Sequence, residues 1–139
     1  MLSDNLRAFV AETRRGVLTT FRRSGGAQMS IVTCGPYREG VAFTTTARRA
    51  KLINLQRDPR CSLMVAQEDW WGYVVLEGRA ELLSPETTDA VELRETLRDV
   101  YRVASGTEHS NWQEYDAAML EQRRSAVIIV PEHIYGTRA

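Results

Sequence analysis

The sequence has little of what covalent cross-linking or metal binding requires. It contains two cysteines, Cys34 and Cys61, each alone within an apolar, strand-like run. That excludes a disulfide framework and points to buried free thiols in a reducing cytosol. The two histidines, His109 and His133, lack the spacing of a zinc set and read as hydrogen-bonded structural residues, so no metal site is expected. Net charge is missing too, since 18 basic side chains balance 18 acidic ones. No global field recruits nucleic acid or an anionic membrane, and any anion site has to be local. There is no apolar run long enough to span a bilayer, and the opening Met1-Leu2-Ser3-Asp4 is too polar for a signal peptide, so a cytoplasmic location is expected. Nucleophilic catalysis lacks its signature: no Gly-x-Ser-x-Gly elbow occurs, and neither cysteine has an activating neighbour.

What is present suits one domain over residues 1–139, long enough to bury a real core. Ser3 caps a first helix whose Leu6, Phe9 and Val10 share a face and which ends near Arg14. Strands follow at Arg15–Phe21 and Ala27–Cys34, joined by the hairpin signal Ser24-Gly25-Gly26. In the second strand Gln28, Ser30 and Val32 lie on one face, Met29, Ile31 and Thr33 on the other. Gly35-Pro36 through Gly40 reads as a turn, then Val41–Thr45 as a strand. Asp58-Pro59 stops a basic helix spanning Ala47 to Gln56. Further strands are expected at Cys61–Ala66 and Tyr73–Leu83, where Gly78 marks a bulge or a close backbone approach. Ser84-Pro85 reads as a helix start, Ser110-Asn-Trp-Gln113 as a capping box, and Ser125–Val130 as a last strand closed by Pro131. Six strands with early hairpins predict a mainly β protein, a small antiparallel barrel with peripheral helices. A parallel α/β fold fits less well, because the first two strand links are too short for crossovers.

The stretch from Phe43 to Arg60 carries the chemistry. A strand runs through Thr44-Thr45-Thr46 into a helix bearing Arg49 and Lys51. Free N–H groups and the helix dipole favour an anion there, and the two cations add a fork and a point charge suited to a phosphate. The competing reading is a solvated helix face. Nucleic acid fits poorly, because no platform of stacking aromatics accompanies the basic run.

These features, with Gly16-Val-Leu-Thr-Thr20, Gln28-Met-Ser30, Arg49-Ala-Lys51, Asn54-Leu-Gln-Arg-Asp-Pro-Arg60, Trp71-Gly-Tyr73, Glu77-Gly78 and the tail from Glu108 to Gly136, make the chain resemble a known family. It is similar to the split-barrel flavin and deazaflavin oxidoreductases related to pyridoxamine 5′-phosphate oxidase, most of all to the branch using coenzyme F-420. The resemblance implies a six-stranded, FMN-binding-protein-like split barrel and a homodimer with cofactor sites at the protomer interface. It places Thr44 and Thr45 at the strand end and Arg49, Ala50 and Lys51 on the cofactor phosphate, with Asn54 beside them. Gln28 and Ser30 would approach the ring system, although polar-out alternation also explains them. Trp71 and Tyr73 would border the pocket from across the dimer, with Tyr73 available as a proton donor, although core or interface aromatics are the alternative. A C-terminal segment closing over the site is also implied, but only Gly136-Thr-Arg-Ala139 follows Tyr135. The activity implied is F-420-dependent hydride transfer to an unsaturated small molecule. The alternatives are an FMN-dependent oxidase-like enzyme and a non-catalytic flavin- or haem-binding protein. Cofactor chemistry needs few catalytic side chains, which agrees with the absence of an acid–base dyad.

Overall fold

The computed structural model describes residues 2–139; Met1, where the polar opening begins, lies outside them. The chain passes through helix α1 (Asp4–Thr13), strands β1 (Arg15–Phe21), β2 (Ala27–Thr33), β3 (Gly35–Tyr37) and β4 (Gly40–Thr45), and helix α2 (Ala50–Arg57). Strands β5 (Arg60–Ala66) and β6 (Tyr73–Leu83), helices α3 (Ala90–Ser105) and α4 (Trp112–Glu121), and strand β7 (Ser125–Tyr135) complete it. Among the described residues the strands form one antiparallel sheet in the order β2-β1-β5-β6-β7-β4-β3. Its two outermost strands, β2 and β3, are separated in sequence by Cys34 alone, so the sheet has to curl until its edges approach. The result is the mainly β split barrel with peripheral helices, built from seven strands rather than six.

The seventh strand is β3, where Gly35-Pro36 had the look of a turn. Pro36 is tolerated because β3 is an edge and one side of it needs no ladder donor. The reversal falls instead at Arg38, whose φ is 52°. Proline is accommodated again in β7, which does not end at Pro131 but continues to Tyr135. The register shifts between Glu77 and Gly78, with Gly78 opposite Pro131. Both expectations for Gly78 are therefore met: it marks a bulge, and a Cβ there would lie 1.9 Å from the Val130 carbonyl oxygen.

The barrel interior is filled by Leu18, Val41, Phe43, Leu63, Val65, Val74, Leu76, Val127 and Ile129. α1 presents Leu6, Phe9 and Val10 to this core, with Ser3 capping it by accepting the Leu6 N–H. α2 inserts Leu55 into the same core. A second core lies outside the sheet, where Leu93, Leu97 and Val100 of α3 and Tyr115 of α4 cover Ala42, Ala126 and Ile128. α3 begins at Ala90 under an Asp89 cap, not at Ser84-Pro85, whose residues form a turn. α4 is capped by Asn111 rather than Ser110. Both thiols are buried, and burial pushes Cys34 and Cys61 each up to about 12, which leaves them unreactive at neutral pH.

Candidate functional site

β3 is too short to cover the far end of β4, and a cleft opens there between the two sheet edges. Its cavity of about 450 Å³ is lined by Ile31–Thr33 of β2, Thr44 of β4, Lys51 of α2, the α3 and α4 residues Val100, Tyr101, Tyr115 and Met119, and Arg124. α2 starts three residues later than its sequence suggests. Arg48 takes a left-handed φ of 72° and Arg49 becomes an extended N-cap, so Thr46–Arg49 is a turn rather than a first helical turn. Arg49 Nε donates to Thr46 Oγ1 at 3.1 Å, and no side chain caps the helix. The leading N–H groups at Ala50 and Lys51 thus have no capping acceptor where the helix dipole is positive.

Lys51 is half-buried, and its amine is held below the usual lysine value first by burial and then by the Arg49 and Arg124 charges. Arg124 is likewise lowered, chiefly by burial, with Arg49 adding to the effect. Its Nη1 donates to Thr44 Oγ1 at 3.0 Å. The cleft lining contains no carboxylate among the described residues. Gathered cations without a counter-ion, next to an uncapped helix start, can hold a phosphate dianion.

The consecutive threonines diverge. Thr44 faces the cleft, whereas Thr45 is 2% exposed and its hydroxyl is buried without a partner. Ser30 has an equally unpartnered buried hydroxyl. Gln28 and Asn54 are brought together beneath α2 by Thr20: Asn54 Nδ2 donates to Thr20 Oγ1, and Thr20 Oγ1 donates to Gln28 Oε1, each at 3.1 Å. Arg57 Nη2 donates to Asn54 Oδ1 at 3.2 Å, so both ends of the Asn54 amide are engaged within the protein.

The polar-out alternation, the competing reading of β2, is reversed. Gln28, Ser30 and Val32 turn inward, while Met29 and Ile31 stand 64% and 73% exposed. Ile31 begins a row that continues through its register neighbours Val17, Met64, Val75 and Tyr135 across the outer face of the sheet. Trp71, 81% exposed, and Trp70 stand on the β5–β6 loop. That loop is built, not slack: Asp69 Oδ1 accepts the Trp71 N–H at 3.0 Å, and Thr137 Oγ1 donates to the Trp71 carbonyl oxygen while accepting the Tyr73 N–H at 3.1 Å. The short C-terminal segment therefore braces the tryptophan loop. Trp71 and Tyr73 do not line this cleft. Arg124 is the cleft residue that sequence reasoning left unassigned. The available signal was a doubled arginine directly before an apolar strand, of which Arg123 finds a carboxylate, Glu86.

A curled antiparallel barrel with a cation-lined cleft at its split is the architecture of the flavin-binding split-barrel proteins. The chain belongs to the pyridoxamine 5′-phosphate oxidase family, whose profile matches residues 2–138. This family binds flavins such as FMN and includes oxidoreductases. Solved structures share the fold. A conserved hypothetical protein of Mycobacterium tuberculosis is 24% identical with a TM-score of 0.75, over 96% of this chain and 83% of its own. An F-420 reductase is 19% identical with a TM-score of 0.66, over 96% and 98%. The haem storage protein of Vibrio cholerae is 15% identical with a TM-score of 0.69, over 99% of each chain. Among the described residues no helix is long and apolar enough to cross a membrane.

Proposed function

We propose that this protein is a homodimeric, cytoplasmic oxidoreductase that holds coenzyme F-420 by its phosphate in the split of each barrel. The carrying observation is Lys51 at an uncapped helix start, in a cleft lined by no carboxylate among the described residues, with the N-cap Arg49 close enough for its charge to act on Lys51. Lys51 and Arg49 bind the phosphate with the Ala50 N–H, and Thr44 marks the strand end of the same site. Thr45 and Ser30 carry buried, unpartnered hydroxyls and would reach the cofactor only if the surrounding side chains give way, while Gln28 and Asn54 brace the floor through Thr20. When bound, the reduced deazaflavin supplies a hydride for an unsaturated acceptor. The chain contributes orientation and exclusion of water, and the proton would come from solvent or from Tyr73 of the second protomer. An FMN-dependent enzyme is the second reading, favoured by the family's use of FMN, and the phosphate anchor serves either cofactor. Haem binding would need His109 or His133 as axial ligand; His109 Nδ1 already accepts the Asn111 N–H at 2.9 Å with its ring packed on Tyr101 and Tyr115, and the His133 ring packs on Tyr135.

Side-by-side fluorescence titration with F-420 and FMN tests the proposal. Micromolar or tighter binding of F-420, exceeding that of FMN, is expected, followed by turnover of reduced cofactor with enones or quinones. No F-420 binding at micromolar concentration rejects the assignment, and binding without turnover on any acceptor returns the protein to the non-catalytic alternative.

The dimer is proposed from the exposed Met29 and Ile31 on the edge strand β2, backed by the half-buried Val17 and Met64 of the same face, because an apolar patch on an open edge strand calls for cover. Covering it with a second copy would bring Trp71 and Tyr73 to the neighbour's cleft. An Ile31→Glu variant is therefore expected to sediment as a monomer and to lose cofactor binding as well. An unchanged sedimentation coefficient would place the interface elsewhere.

A further inference from the structure

We infer that Arg124 is a third phosphate-binding residue, held in position by Thr44, and that this pair sets the preference for phosphorylated over unphosphorylated flavins and deazaflavins. The inference rests on the assignment of the cleft to a phosphorylated cofactor.

Arg124 stands where α4 hands over to β7, and its backbone N–H is bonded to the Met119 carbonyl at 3.1 Å. The preceding Arg123 takes a left-handed φ of 50°, which turns the chain sharply. The side chain is fixed at two further points: Nε donates to Gln122 Oε1 at 2.7 Å and Nη1 to Thr44 Oγ1 at 3.0 Å. A guanidinium has five N–H donors, so about three remain for a ligand. Neighbouring arginines are neutralised: Arg98 by Asp116, Arg102 by Asp99 and Glu108, and Arg123 by Glu86. Arg124 is paired with no carboxylate among the described residues, although it is half-buried and lies close enough to Arg49 and Lys51 to feel their charge. A pre-positioned, part-desolvated cation facing two others is costly unless an anion completes it. Thr44 accepts from Arg124 with its hydroxyl oxygen and so positions the guanidinium for the phosphate, while its own O–H stays free to donate.

The test compares FMN with riboflavin, and F-420 with its phosphate-free deazaflavin core, by fluorescence titration on wild type, Arg124→Gln, Arg124→Lys and Thr44→Val. Arg124→Gln should weaken both phosphorylated ligands by about tenfold or more and the unphosphorylated ones by less than about twofold. Thr44→Val should move the same ratio by about threefold, and Arg124→Lys should recover only part, since lysine keeps the charge but loses the fork. Thermal melting identifies any variant that fails to fold, in which case Arg124→Lys and Thr44→Val decide the outcome. Equal losses for riboflavin and FMN, or no loss for either, overturn the inference. If Lys51→Ala weakens FMN while Arg124→Gln does not, the cofactor assignment stands and this inference alone falls. If wild type binds none of the four ligands, both fall together.

Discussion

Replacing Lys51 with alanine should weaken the phosphorylated cofactor by roughly 10- to 100-fold, the loss of one charge-assisted contact of about 1.5–3 kcal/mol. The fold should survive, because Lys51 makes no hydrogen bond to the rest of the described protein that the variant would break, and α2 is anchored by Leu52 and Leu55. The effect should also carry a pH signature. Burial, with Arg49 and Arg124, holds the amine below its ordinary 10.5. A bound phosphate reverses that shift by favouring the charged form. Affinity should be greatest at pH below the depressed value and should fall as the amine deprotonates on the way to 10.5. In the ligand-free protein the sign is opposite: over the same window the unfolded chain binds more protons, so stability rises with pH. Lys51→Ala removes this contribution from both curves. Titration of FMN or F-420 across that range, on both proteins, checks each part, and an unchanged affinity would remove α2 from the site.

Gly78→Ala should be among the most damaging single methyls in the barrel. The added carbon would lie 1.9 Å from the Val130 oxygen and 3.0 Å from Pro131 Cα, both backbone atoms that no rotamer change can move. The bulge has to open, and with it the β6–β7 ladder that carries Pro131 through the strand. A loss of about 3 kcal/mol is expected, at the upper end for overpacking, which corresponds to a melting midpoint lower by roughly 10 °C. Gly25→Ala is the control. Its φ is 91° but nothing lies within 4 Å, so only the left-handed backbone penalty of about 1 kcal/mol applies. Urea unfolding of both variants separates the two causes. Equal midpoints would mean that the Gly78 contact relaxes freely.

Local patterning made much of the fold legible. The bounds of β1 and β6 were readable from alternation and flanking turn residues, as was the Ser3 cap of α1. The misreadings share a physical origin, in that partners distant in sequence overrode local preference. Pro36 and Pro131 resemble terminators until one is seen on a sheet edge and the other opposite a bulge. Ser84-Pro85 has good capping chemistry, but Asp89, two side-chain bonds to the α3 start in hand, is the residue that begins the helix. In the site, Lys51 and Thr44 could be found because strand, corner and helix are contiguous. Arg124 had only the doubled arginine before the last strand to mark it, since its relation to them exists only through tertiary structure. β2 shows the deepest limit: alternation identifies two faces without saying which points inward, and here the serine and glutamine do.

Thr44 and Arg124 are 80 positions apart, and they meet only when β4 pairs with the final strand β7, which Arg124 directly precedes. The early hairpin of β1 and β2 can form locally, whereas joining β4 to β7 has to close a long loop. The cleft is therefore among the last parts of the molecule to exist as the chain emerges and folds. An N-terminal portion can carry every residue from Gln28 to Tyr73 and still have no wall on which to hold a phosphate. Ligand affinity in this protein is in that sense a report on completed folding.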